Sequence, residues 1–171
     1  MKTLWLLRHA KASPGGSDLS DRNRPLAARG REGAERIGRH LAKSGARPDL
    51  VLCSSSLRTR ETIERVAVAL GGDLTIEFAD DLYLASETDL LARVAELPDD
   101  VASVMMVGHN PGMAELALRL AVRGDRSALA ELRRKFPTGA LAELESAAPR
   151  WAQFARRCVL ASYVTPKLLG D

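Results

Sequence analysis

The sequence predicts an α/β fold: a three-layer α/β/α sandwich with a mostly parallel central sheet and one antiparallel strand near an edge. Three observations carry this. Short apolar runs alternate with amphipathic helical segments along nearly the whole chain. The runs Leu4-Trp5-Leu6-Leu7 and Val104-Met105-Met106-Val107 are apolar at every position, as in strands covered on both faces. The last two strand-like segments, Gly139 to Leu144 and Cys158 to Val164, lack a clear helix between them, so a reversed strand fits there.

Each element has a local reason. Thr3 to Leu7 reads as a central strand. Ala12 to Pro25 reads as a loop, because Pro14, Gly15 and Gly16 break regular structure. Its length and position suggest that it folds over the end of the first strand. Leu26 to Ser44 is helical, with Ala34, Ile37 and Leu41 on one face and Gly45 placed to end it. Asp49 to Cys53 is a second strand, and Ser54-Ser55-Ser56 can cap the helix that carries Ile63, Val66, Ala67 and Leu70. Leu74 to Phe78 is a short third strand. Ser86-Glu87-Thr88-Asp89 resembles a capping box with Asp in place of Glu, and Pro98 ends the helix it opens. Val101 to Val107 is the next strand. Asn110-Pro111 starts a helix with Pro at its first position, and Ser127 to Phe136 forms another.

Composition excludes several classes. The 171 residues suit one domain. The net charge is only +3, the basic residues are dispersed, and 4% of residues are aromatic, so a nucleic-acid partner is not expected. Cys53 and Cys158 lack metal-ligand spacing and lie in apolar stretches, which reads as buried free thiols in a reducing compartment. The first apolar run stops at Arg8, too soon for a secretory signal, and no stretch is long enough to span a membrane. A cytoplasmic protein with no membrane partner is expected.

The chemistry-bearing residues gather at strand ends. Arg8-His9 follows the first strand and Gly108-His109 follows the fourth. In open α/β sheets, ligands sit at the carboxyl ends of strands. Arg58 lies in the first turn of the helix after Ser54-Ser55-Ser56, at the same edge of the sheet, where free backbone N–H groups favour an anion. Arg8 and Arg58 can therefore clamp a phosphoryl group, with His109 as a further donor. His40, mid-helix between Arg39 and Lys43, reads as a surface residue.

Three motifs in order make a resemblance specific: Leu7-Arg8-His9-Ala10, Ser54-Ser55-Ser56-Leu57-Arg58-Thr59-Arg60-Glu61-Thr62 and Gly108-His109-Asn110-Pro111. Together they resemble the histidine phosphatase superfamily. Arg24-Pro25-Leu26, Asp81-Leu82-Tyr83-Leu84-Ala85-Ser86, Phe136-Pro137-Thr138-Gly139-Ala140 and Val164-Thr165-Pro166-Lys167 resemble its small, SixA-like phosphohistidine phosphatase branch. The resemblance implies a single domain over residues 1–171 and a metal-independent phosphatase with no cofactor. In it His9 would become phosphorylated, while Arg8, Arg58 and His109 hold the phosphoryl oxygens. It implies a phosphohistidine-bearing protein as substrate, with a small phosphoester as the alternative and a non-catalytic phosphoprotein-binding module as a third reading. The family loop begins Arg-His-Gly; Ala10 replaces that Gly, so the backbone there needs no positive φ. For the leaving-group proton, Asp81 is the best-placed acid, with Asp80 beside it and Asp18 and Asp21 as weaker choices. Arg24 is a phosphate or substrate contact, or else an ion-pair partner of Asp21.

Overall fold

The apolar runs pair into one sheet in the structure, a computed structural model that describes residues 1–170. Its strands are β1 (Lys2–Arg8), β2 (Leu50–Ser54), β3 (Ile76–Ala79), β4 (Ser103–Gly108), β5 (Leu141–Ser146) and β6 (Cys158–Val164). Their spatial order is β3-β2-β4-β1-β5-β6. Parallel pairing joins β3, β2, β4 and β1, whereas β5 pairs antiparallel with both β1 and β6. The expected reversed strand is therefore β5, one place in from the edge.

Alternation along the strands divides the core. Leu4, Leu6, Leu52, Val104 and Met106 pack against α3 (Glu87–Ala95), α4 (Gly112–Leu120) and α5 (Arg126–Arg134). Trp5, Leu7, Val51, Cys53, Met105 and Val107 pack on the other face, against α1 (Ala28–Ser44) and α2 (Leu57–Leu70). Because side chains alternate with a period of two, a fully apolar strand serves both layers. A short α6 (Pro166–Leu169) lies against α1. Both cysteines are free and buried.

Local signals hold with small boundary shifts. Gly45 ends α1 at φ 71, the left-handed conformation its position requires. The Ser86 hydroxyl accepts from the Asp89 amide and caps α3. β3 begins two residues later than the apolar pattern suggests. Pro111 is the N-cap of α4 rather than its first helical residue, and the Asn110 carboxamide still accepts from the Ala114 amide at 3.2 Å.

The sheet order positions the site. The chain leaves β1 for β2 and returns later to insert β4 between them. The carboxyl ends of β1, β4 and β2 thus lie side by side, at the point where connections diverge and a cleft opens. The loop after β1 is pinched at its base by a bridge between Ala12 and Leu26. There α1 comes so close that a Cβ at Gly30 would stand 2.0 Å from the Lys11 carbonyl oxygen.

Candidate active site

Main-chain bonds fix His9 first. Its amide donates to the Gly108 carbonyl at 3.0 Å, and the Gly139 amide donates to the His9 carbonyl at 3.0 Å. The imidazole is then fixed by its own chain, since Nδ1 lies 2.8 Å from the Ala10 carbonyl oxygen. A carbonyl only accepts, so Nδ1 carries the proton and Nε2 carries the lone pair. Burial holds the ring neutral with a pKa of about 4; the bond to Ala10 opposes this, and the charges of Arg58, Arg8 and Arg24 reinforce it. The Ala10 amide donates to Thr62 Oγ1 from α2 at 3.0 Å, which ties the turn after His9 to the neighbouring layer.

His109 lies beside it, with ring centroids 5.4 Å apart. Both of its nitrogens are engaged: Nε2 with Ser54 Oγ at 2.8 Å and Nδ1 with Arg58 Nη2 at 3.3 Å. Guanidinium only donates, so Nδ1 accepts and Nε2 donates to Ser54. Burial lowers the His109 pKa to about 3, and the charge of Arg58 adds to this.

Two guanidiniums complete the wall. Arg58 is 3% exposed; its Nη1 donates to the Asp21 carbonyl at 2.7 Å and its Nη2 to Asp21 Oδ2 at 3.1 Å. The Tyr83 hydroxyl also donates to the Asp21 carboxylate. This bond, with those from Arg24 and Arg58, holds the Asp21 pKa at about 2. Arg8 donates from Nη1 to the Phe136 carbonyl at 3.1 Å and has no carboxylate partner among the described residues. Burial and neighbouring Arg58 disfavour its charge. A half-buried guanidinium without a counter-charge is costly, and an anion beside it offsets that cost. Arg8, His9, Arg24, Arg58, Leu84 and His109 line a cavity of about 280 Å³. That constellation suits a tetrahedral oxyanion: two forked cations, a second neutral imidazole, and on His9 an imidazole lone pair with no partner among the described residues.

The structure thus brings Arg8, His9, Arg58 and His109 together, and Arg24 with them. The Arg24 guanidinium pairs with Asp21 Oδ1 at 3.1 Å and bonds the Ser13 carbonyl, so the ion-pair reading of this residue is the one observed, at a position that also lines the cavity. Asp81 does not join them. It faces Arg93 at 3.8 Å and lines a separate depression with Asp89 and Glu96. The expectation that Asp81 supplies the leaving-group proton is corrected: its turn points it away from the cleft. Asp80 pairs with Arg22 and bonds Ser55 on the surface. The carboxylate that does reach the site is Asp21, carried in by the loop after β1.

Sequence reasoning missed three contributors. Ser54 was read only as a cap, yet it ends β2 beside β4, and the strand-end rule applied to His9 would have found it. Tyr83 stands edge-on to His109, with centroids 5.3 Å apart, and no local pattern announces this. Leu84, at the rim, is 54% exposed and has φ 52, a strained conformation for a side-chain-bearing residue.

Residues 4–83 match the model of the Histidine phosphatase superfamily (branch 1). Over 165 residues the chain is 33% identical to the Mycobacterium tuberculosis protein Rv1276c, covering 94% of this chain and 100% of that one. The chain belongs to the histidine phosphatase superfamily. Within that superfamily it is SixA-like. The candidate phosphohistidine phosphatase SixA from Agrobacterium tumefaciens superimposes with a TM-score of 0.82 at 32% identity, covering 96% of this chain and 98% of that one. Its counterpart from Nakamurella multipartitia gives 0.82 and 32%, covering 96% of each chain. As a histidine phosphatase, the protein is a hydrolase that works through a phosphorylated histidine. No described helix is long and apolar enough to cross a membrane.

Proposed function

We propose that the protein removes the phosphoryl group from phosphohistidine on a partner protein in the cytoplasm, with His9 as the nucleophile. The observation that carries this reading is the tautomer of His9. With Nδ1–H committed to Ala10, the Nε2 lone pair is the ring's only nucleophilic position. It attacks phosphorus, and the P–N bond to the substrate imidazole breaks. Arg8, Arg58 and His109 hold the equatorial oxygens as charge spreads over them. Arg24 steadies the phosphoryl group or the adjoining substrate from the loop side. Water then attacks phospho-His9 and releases phosphate, which restores the neutral imidazole.

The carboxylates favour a phosphoramidate over an alkyl phosphate. An alkoxide must be protonated as it leaves, by an acid that still holds its proton near neutrality. Asp81 is turned away, and Asp21, with its pKa lowered to about 2, holds no proton near neutrality. A departing imidazole needs no enzyme acid, because its own ring nitrogens take a proton from water with an ordinary pKa of about 6.5. The SixA-like neighbours support the same substrate class.

The test compares free phosphohistidine, a phosphohistidine protein and an alkyl phosphate. The expected result is rapid hydrolysis of the first two, transient labelling of the enzyme, and little turnover of the alkyl ester. Faster hydrolysis of the alkyl phosphate would overturn the substrate assignment, and full activity in His9→Ala would overturn the mechanism.

A further inference from the structure

Beside the phosphoryl cavity lies a larger groove of about 670 Å³. The two share Lys11 and Thr138 in their walls, and Ala10, directly after His9, also lines the groove. Its sides come from α1, from the segment after α5 and from the turn into α6. Glycine makes that turn fit: a Cβ at Gly139 would stand 2.7 Å from Pro166 Cγ, and one at Gly33 would stand 3.3 Å from it. The Thr165 hydroxyl accepts from the Leu168 amide and fixes the direction in which Lys167 leaves.

Among the described residues, five cationic side chains line this groove against one carboxylate, Glu32. The side chains of Lys11, Arg29, Lys135 and Lys167 are exposed and make no ion pair or hydrogen bond among the described residues. The opposite rim of the phosphoryl cavity differs. There Arg22 pairs with Asp80, while Arg24 and Arg58 pair with Asp21. Among the described residues, positive charge is thus paired on one side of the reaction centre, whereas Lys11, Arg29, Lys135 and Lys167 on the other carry no ion pair.

Resting on the phosphohistidine reading, we propose that this groove binds acidic side chains flanking the phosphohistidine of the partner protein. The cations stand on four separate segments, the loop after β1, α1, the stretch after α5 and α6, at the ends of long flexible stems. That arrangement suits a chain of carboxylates lying along the groove. A second phosphate on a small molecule calls instead for fixed, converging donors of the kind Arg8 and Arg58 provide. Such rim charges raise the rate of encounter and set the register of the partner, and they are sensitive to salt.

Two phosphohistidine peptides of equal length test this, one with Asp and Glu around the phosphohistidine and one with Ser and Asn. For the unaltered enzyme, kcat/KM favours the acidic peptide by roughly tenfold at low salt, chiefly through KM, as several exposed charge pairs together would give. In the double variant Arg29→Glu, Lys167→Glu the preference falls to near one, and added salt does the same to the unaltered enzyme. Equal kcat/KM for both peptides in the unaltered enzyme overturns the groove assignment and leaves the phosphohistidine reading standing. Turnover of an aryl phosphate with no turnover of either peptide overturns both. Competition by a small bisphosphate that the double variant abolishes, without any peptide preference, would assign the groove to a second phosphate instead.

Discussion

His9 and His109 stand at matching ends of neighbouring strands, and burial keeps both neutral, yet they are held in opposite ways. His9 is fixed by one bond to its own backbone, so Nε2 remains unengaged among the described residues. His109 is held by side chains at both nitrogens, Ser54 on one and Arg58 on the other. The first arrangement presents a lone pair; the second presents a ring whose proton can be moved. For His109 to donate to a phosphoryl oxygen from Nδ1, its proton must shift away from Nε2. Ser54 permits this because a hydroxyl can both accept and donate. Two histidines with the same local sequence setting thus differ in role through what their second nitrogen meets.

The sharpest way to break this comparison is to remove each ring in turn. His9→Ala is expected to lose at least about 10⁴-fold in kcat and all trapping of labelled phosphate on the enzyme, as loss of a nucleophile does. His109→Ala is expected to lose about 10²–10³-fold, the scale of one lost oxyanion donor, while still trapping label slowly. Rapid-quench labelling of the two variants checks both, and label retained in His9→Ala would reverse the assignment. A smaller effect is expected at Ser54. Ser54→Ala leaves the buried Nε2 of His109 without a partner, and kcat should fall about tenfold on the scale of one lost buried hydrogen bond. Ser54→Thr should restore much of it. The nitrogen chemical shifts of His109 with and without vanadate would report the tautomer directly; a shift pattern indifferent to vanadate removes the proton-relocation argument.

Acid sharpens the comparison further. Both rings have pKa values below the usual 6.5, about 4 for His9 and about 3 for His109. The proposed nucleophile, His9, therefore stays unprotonated well below neutrality. With an aryl phosphate, and after correction for ionisation of the substrate, the acid limb of kcat/KM should fall near pH 4. A limb at 6.5 would mean that His9 is not desolvated. Stability follows the same sign. Below pH 6.5 the unfolded chain takes up protons that the folded histidines refuse, so acid favours unfolding. Urea midpoints should fall as pH drops from 6.5 toward 3, and His9→Gln should lessen the slope.

Much of this was legible in the chain because strand ends are local. The apolar runs end at Arg8-His9, at Ser54 and at Gly108-His109, and a parallel sheet puts such ends on one edge whatever the strand order. Gly45 and Ser86 terminate and cap their helices as their positions in the pattern indicate. Asp81 failed because a turn residue two positions before Tyr83 carries no signal for direction. Asp81 and Tyr83 lie in one short segment, yet only Tyr83 faces the cleft.

What the sequence by itself determined was the set of elements, their caps and the placement of two histidines and two arginines at one edge, since periodicity and termination are encoded within a few residues. Tertiary structure decided that β4 inserts between β1 and β2, so that His109 falls between His9 and Arg58. It also decided that the loop after β1 folds back to lay Asp21 on Arg58, and that four cations without an ion pair among the described residues gather beside the cavity lined by His9. Those outcomes depend on contacts between residues far apart in the chain, where packing and charge compensation are settled together and no local pattern records them.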